Sequence, residues 1–215
     1  LPVVLFNASI GLAFNSLWLY KYGFSKYDIS GVTGIAPAEL DQAARGLIGY
    51  WNSGQEYIDV TVTKDGQPFT LFNEREVIHL KDVKALVRLD YLALAVAGLY
   101  CLVFAAVALW WRPPAYRREL ALAGMGGSLL GAALLATMGI MALSDFSSFW
   151  WRFHLLSFAN DFWLLDPSRD YLIMMFPEGF WYDSVLIIAG LTAFLILLIG
   201  VLSWLYLRKN KLKAS

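Results

Sequence analysis

Four long apolar runs, near Leu1 to Tyr20, Tyr91 to Trp111, Leu120 to Leu143 and Ser184 to Leu207, constrain this chain more than any other feature, and the last three contain no charged residue from end to end. Each is long enough to cross a hydrocarbon core about 30 Å thick, which takes roughly 20 helical residues. A buried helix of a soluble protein accounts for one such run but not for four. With 59% apolar residues and charges that cancel to zero, nothing in the composition suggests nucleic acid as a partner, and membrane lipid is expected instead.

The first run reads as a retained anchor rather than a signal peptide. It is too long and lacks a small-residue cleavage site, Tyr20-Lys21-Tyr22 has the composition of an interfacial belt, and a few basic residues are expected upstream of Leu1. The lone Cys101 lies inside the second run, can form no intramolecular disulfide, and is assigned no chemistry. Orientation follows from the basic residues of short segments. Arg112, Arg117 and Arg118 surround a Pro113-Pro114 turn, and Arg208, Lys209, Lys211 and Lys213 follow the fourth run, so both segments are expected in the cytoplasm. An even number of spans then places the polar segments 21–90 and 144–183 outside.

The expected fold is an all-α membrane protein with four transmembrane helices and an extracellular cap of short helices and a β-hairpin. Its order is a first span at 1–20, a cap at 21–90, a second span at 91–111, a cytoplasmic loop at 112–119 and a third span at 120–143. A second outer segment with interfacial helices at 144–183, a fourth span at 184–207 and a cytoplasmic tail at 208–215 complete it. In the cap, Ala36-Pro37-Ala38-Glu39 starts a helix whose stripe is Leu40, Ala43, Ala44, Leu47, Ile48 and Trp51, and Asn52-Ser53-Gly54 ends it. Ile58 to Thr63, the turn Lys64-Asp65-Gly66-Gln67 and Pro68 to Phe72 read as a hairpin. Asn73 followed by Glu76 has the form of a capping box that opens a helix continuing into the second span.

Only two histidines occur, His79 and His154, and both belong to the outer segments. An imidazole titrates near neutral pH and is the commonest proton shuttle in enzymes. His79, Asp82, Val83 and Leu86 share one helical face, so Asp82 is a candidate to fix the His79 tautomer, or else pairs with Lys81, Lys84 or Arg88 in solvent. Around His154 lie Phe146, Phe149, Trp150, Trp151, Phe153, Phe158, Phe162 and Trp163, with Arg152, Asn160, Asp161, Asp166, Arg169 and Asp170 as polar groups within reach. An interfacial aromatic belt explains part of this but not the polar residues. Asp166-Pro167 has the form of a helix start with Asp166 as N-cap, and Tyr171 to Trp181 is a short apolar helix, stopped by Pro177 and Gly179 and too short to span, suited to an amphipathic or re-entrant piece that walls a lipid-sized pocket.

His-Glu-x-x-His, Gly-x-Ser-x-Gly, a Gly-rich phosphate loop and paired cysteines are all absent. Two histidines and an Asp leave a zinc-dependent membrane hydrolase open, although their wide separation is unlike a dedicated metal site, and neither a metal nor another cofactor is expected. The missing charges inside the spans argue against an ion-coupled pump. Acyl transfer between lipid-bound groups suits such a setting, with the substrate supplying its own nucleophile. The competing class is a non-enzymatic membrane sensor or partner-binding protein.

Two motifs carry a resemblance. Phe153-His154, Phe158, Asn160-Asp161-x-Trp163, Asp166-Pro167-x-x-Asp170-x-Leu172-Ile173 and Phe176-Pro177-x-x-Phe180, together with His79-Leu80-x-Asp82-Val83, resemble the lipoprotein intramolecular transacylases of Gram-positive bacteria, over the whole chain. The resemblance implies a multi-pass monomer in the bacterial cell membrane with its active site at the outer face. It also implies a diacylated lipoprotein substrate, whose sn-2 acyl chain moves to the α-amine of the N-terminal cysteine to leave a lyso-form lipoprotein. His79 and His154 are then the expected catalytic pair, with His154 as base and His79 as oxyanion or leaving-group donor, the reverse assignment staying open. Asp82, Arg152, Asn160, Asp161, Trp163, Asp166 and Asp170 are the expected supporting or substrate-binding residues.

Overall fold

The structure, a computed structural model, describes residues 1–111 and 114–211. Along the chain run α1 (Pro2–Phe14), α2 (Leu17–Lys26), α3 (Ile29–Thr33), α4 (Pro37–Trp51), β1 (Thr61–Lys64) and β2 (Gln67–Thr70). They are followed by α5 (Glu74–Ala106), a π-helical segment (Val107–Trp111), α6 (Pro114–Ser144), α7 (Phe146–Ser157), α8 (Tyr171–Met175) and α9 (Glu178–Lys211). The chain divides into two compact units, one of Leu1–Ile10, Asp90–Ser144 and Ile187–Ser215, the other of Gly11–Leu89 and Asp145–Leu186.

Three helical stretches, Glu74–Trp110, Tyr116–Ser144 and Glu178–Asn210, are long and apolar enough to cross a membrane, and the pair α1 and α2 counts as a fourth only when taken together, because it is bent by 63°. The stretch expected as a first span at 1–20 is thus divided between two helices. The break falls at polar residues that satisfy themselves locally. Asn15 donates its amide to the Gly11 carbonyl at 2.7 Å and accepts from Asn52 at 2.7 Å, while Ser16 is extended with φ −90° and ψ 97°. Tyr20, expected in an interfacial belt, is instead a buried core residue that donates to the Phe14 carbonyl at 3.1 Å and accepts from Trp51 Nε1 at 3.2 Å.

The other boundaries shift outward. The helix carrying His79 continues into the second apolar run, and α6 begins at Pro114, so most of the expected loop 112–119 is helical. Proline at a first helical turn loses no hydrogen bond and has its φ already set. Arg112, Pro113 and Lys213, on which part of the orientation rests, lie outside the described residues.

In the membrane unit, small residues let helices approach closely. Gly124, Ser128 and Gly131 on α6 meet Ile196, Gly200 and Ser203 on α9: a Cβ at Gly131 would stand 2.9 Å from Ile196 Cδ1, and one at Gly200 would stand 3.3 Å from Ser128 Cβ. Lipid tails are as apolar as Leu, so close van der Waals packing between such stripes carries much of the association.

The other unit has a conventional core of Leu19, Phe24, Ile29, Leu40, Ala43, Leu47, Val62, Leu80, Met175 and Phe176, all buried. The 70-odd residues of the first outer segment do not close this core alone; α8 and the start of α9 complete it. Pro37 at the first turn of α4 and Asn52 at its end bound that helix as its turn residues dictate, with Tyr50 more buried than Ile48. The hairpin pairs Thr61 with Thr70 and Lys64 with Gln67, and Asp65 (φ 53°) and Gly66 (φ 75°) supply the two positive φ angles of a type I′ turn. Lys64 anchors it by donating to Tyr171 Oη at 2.6 Å and to the Thr33 carbonyl at 2.9 Å.

Candidate active site

Helix α5 begins with a reciprocal capping box. Asn73 N donates to Glu76 Oε2 at 2.7 Å, and Glu76 N donates to Asn73 Oδ1 at 3.2 Å. One turn further along, His79 is directed into the core face with Glu76, Leu80, Lys84 and Val87, and is 7% exposed.

His154 arrives from α7, whose N-cap Asp145 accepts from Ser148 N at 3.0 Å. No residue of α7 is fully buried, and Trp151, Phe153, Leu155 and Leu156 are exposed, so the helix is not held by a core of its own. The two imidazoles face each other with ring centroids 6.1 Å apart and planes inclined by 28°. Phe158 packs against both, at 5.0 Å from His79 and 5.6 Å from His154, while Trp150 and Trp163 each lie 4.8 Å from the His154 ring.

Hydrogen bonding distinguishes the two rings. His154 Nδ1 stands 2.8 Å from the Trp150 carbonyl oxygen, which can only accept, so Nδ1 carries the proton and Nε2 keeps the lone pair of the neutral ring. His79 Nδ1 is buried with no protein partner among the described residues. Burial lowers the pKa of His79 from its ordinary 6.5 to about 4, with His154 adding to the effect and Asp82 opposing it. Burial also lowers that of His154, against the bond to the Trp150 carbonyl. Both rings are thus neutral at physiological pH, and either can donate or accept a proton.

The supporting residues divide into two groups. Asp82, which spacing leaves open between His79 and a cation in solvent, takes a different partner: its Oδ2 accepts from Asn160 Nδ2 at 2.8 Å, because Asn160, turned by its own Oδ1 accepting from Phe162 N at 3.1 Å, approaches α5 at that point. Trp163 lies against His154, and Asp161 contributes its backbone carbonyl, which accepts from Arg75 Nη2. Arg152 is exposed on α7. Asp166 and Asp170 are held elsewhere. Asp166 is not the N-cap of a helix that starts at Pro167: it closes a turn, accepting from Ser168 N at 2.9 Å and Ser168 Oγ at 2.7 Å, and α8 starts only after Asp170. Asp170, 1% exposed, accepts from Asn73 Nδ2 at 2.8 Å and from Asp166 N at 2.7 Å. Both therefore shape the chain instead of touching an imidazole.

Arg75, absent from the residues expected at the site, precedes His79 by one turn on the same face, a spacing visible in the sequence. α8 packs with α3 inside the cap core, and clefts of about 580 Å³ beside Trp18 and Tyr22 and about 220 Å³ beside Asn73 and Arg169 touch neither histidine. Among the described residues no group of three His, Cys, Asp or Glu is arranged to hold a metal ion.

A family model described as lipoprotein intramolecular transacylase Lit matches residues 1–181. An uncharacterized protein of Aquifex aeolicus is 28% identical over 166 residues, which cover 73% of this chain and 68% of that protein. The fold is similar to that of the membrane integral lipoprotein intramolecular transacylase Lit from Bacillus cereus, with TM-score 0.74 and 18% identity over 98% of this chain and 92% of that one. Structures of the Bacillus cereus protein with a histidine replaced by arginine or by alanine match with a TM-score of 0.69 each.

Proposed function

We propose, because the chain belongs to the lipoprotein intramolecular transacylase family, that His79 and His154 together move the sn-2 acyl chain of a diacylglyceryl lipoprotein onto the α-amine of its own N-terminal cysteine. The observation that carries this reading is the facing pair itself, two neutral imidazoles with ring centroids 6.1 Å apart, of which His154 presents Nε2 as acceptor.

In this scheme the neutral amine attacks the ester carbonyl carbon. His154 Nε2 takes the amine proton as the C–N bond forms. His79 donates an N–H to the carbonyl oxygen as negative charge gathers there, acting as a neutral donor because burial keeps the ring from taking up a second proton. Collapse breaks the bond to the glyceryl oxygen, and the proton held on His154 passes to that oxygen. The products are an amide on the cysteine nitrogen and a free sn-2 hydroxyl, with no water, metal or co-reactant consumed.

The cyclic transition state runs through about eight atoms, from the amine nitrogen through cysteine and glyceryl carbons to the ester carbon, and restraining so floppy a ring draws on the roughly 7 to 11 kcal/mol available from orientation. The Trp150, Phe158 and Trp163 walls suit that task. The site faces the outside of the cell, with Arg117, Arg118, Arg208 and Lys209 on the cytoplasmic side. Purified protein in vesicles containing a synthetic diacyl lipopeptide tests the reading by mass spectrometry: acyl chain on the cysteine nitrogen and a lyso glyceryl group are expected, and unchanged substrate overturns it.

A further inference from the structure

Arg75 and Asp82 flank His79 by one turn on either side of the same helix face, and both reach the same short stretch, residues 158–163. Arg75 Nη2 donates to the Asp161 carbonyl, and its guanidinium lies 5.6 Å from the centre of the Phe162 ring. Asp82 takes the Asn160 amide at 2.8 Å. The stretch thereby crosses α5 as a strap beside His79, with Phe158 against both imidazoles at one end and Trp163 against His154 at the other.

We infer that Arg75 is a positioning residue for the acyl transfer, acting through this strap on the His154 ring. α7 buries none of its residues, so the bond of His154 Nδ1 to the Trp150 carbonyl orients the ring on a helix that no core of its own holds in place. Its ring is located by aromatic neighbours, and Phe158 and Trp163 are part of the strap. A guanidinium suits the post because it bonds a carbonyl edge-on while lying flat over an aromatic ring, which a lysine ammonium does only in part. The strap also explains why His79 is enclosed. The charged groups flanking the pair along the chain are Arg75, Glu76, Lys81, Asp82 and Lys84 on α5, Arg152 on α7 and Asp161 in the strap, and of these Asp82 bears on His79 by raising its pKa against the effect of burial.

The inference rests on the acyl-transfer reading, and the experiment separates the two. Full-length wild type, Arg75→Ala and Arg75→Lys are compared in vesicles with a diacyl lipopeptide, following kcat, KM, thermal stability and the pH profile. Misplacing one imidazole by about 1 Å predicts a kcat lowered by roughly 10- to 100-fold in Arg75→Ala, with KM changed by no more than about twofold. Water admitted to the pair moves the acidic limb of kcat upward toward the ordinary imidazole value. Arg75→Lys recovers part of the rate, since it still donates to the Asp161 carbonyl. Wild-type kcat and pH profile in Arg75→Ala overturn the inference, as does a loss that tracks thermal stability in both variants without moving the acidic limb. A wild-type protein that makes no N-acyl product counts against the acyl-transfer reading instead.

Discussion

Glu76, fully buried in the first turns of α5, accepts the backbone N–H of Leu172 at 2.6 Å with one carboxylate oxygen and that of Asn73 at 2.7 Å with the other. The side chain that caps its own helix therefore also holds the start of α8, one turn before His79. Burial raises its pKa and these donors oppose the rise. Glu76→Ala leaves two buried N–H groups without partners and is expected to lower stability by about 2 to 4 kcal/mol, with Glu76→Gln costing less. Thermal denaturation in detergent checks this, and equal melting of all three proteins refutes it.

Replacing His79 or His154 by alanine is expected to lower conversion of diacyl to lyso lipoprotein by about 10²- to 10⁴-fold, the usual reach of one acid-base group. Melting temperature and membrane insertion are expected to change little for His154, which lies outside the core. Mass spectrometry of the lipoproteins reads the outcome, and full activity in both variants removes the pair from the mechanism.

The pH dependence has a defined sign. His79 titrates near 4 in the folded protein and near 6.5 when unfolded, so the unfolded chain binds more protons between those values. Its contribution to stability is complete above 6.5 and is lost as pH falls toward 4. His154 titrates below 6.5 as well. With both rings already neutral, kcat/KM around pH 7 to 8 is expected to follow the substrate amine, whose pKa is near 8, rising as that amine loses its proton. A lipopeptide with a less basic amine shifts this limb downward; a limb that stays in place assigns it to the enzyme.

Helix packing in the membrane unit gives a paired test. Gly131→Leu forces a side chain against Ile196, whereas Gly139→Leu enters a position with nothing within 4 Å. The first is expected to cost about 1 to 3 kcal/mol and the second close to none. Melting of the two proteins in the same detergent distinguishes them.

Metal chelation separates histidine acid-base chemistry from zinc hydrolysis. Of the two carboxylates three residues from His79, Asp82 is bonded to Asn160 and Glu76 holds the N–H groups of Asn73 and Leu172, leaving two imidazoles as the donor set. Activity is expected to survive EDTA, and strong inhibition reversed by zinc favours the hydrolase.

The membrane class was legible in the sequence because a charge-free run of more than twenty residues has few other uses, and the hairpin and capping box were legible because each depends on a few adjacent residues. Lys64 to Gln67 needs only its own positive φ angles, and Asn73 and Glu76 satisfy each other one turn apart. The break in the first run was less visible. Apolar content says nothing of direction, and the bend depends on Asn15 meeting Asn52 from another helix.

By itself, then, the sequence determined that the chain crosses a membrane, which residues are candidates for proton chemistry, and where local caps and turns fall, since these follow from side-chain type and short-range periodicity. Only the tertiary structure decided that His79 and His154 face each other, that Asp82 serves Asn160 and not His79, that Asp166 and Asp170 shape a turn remote from the imidazoles, and that Arg75 fastens the strap. The reason is physical: one helical face offers a carboxylate several partners at similar spacing, and which of them it takes is settled by the segment that packs across it.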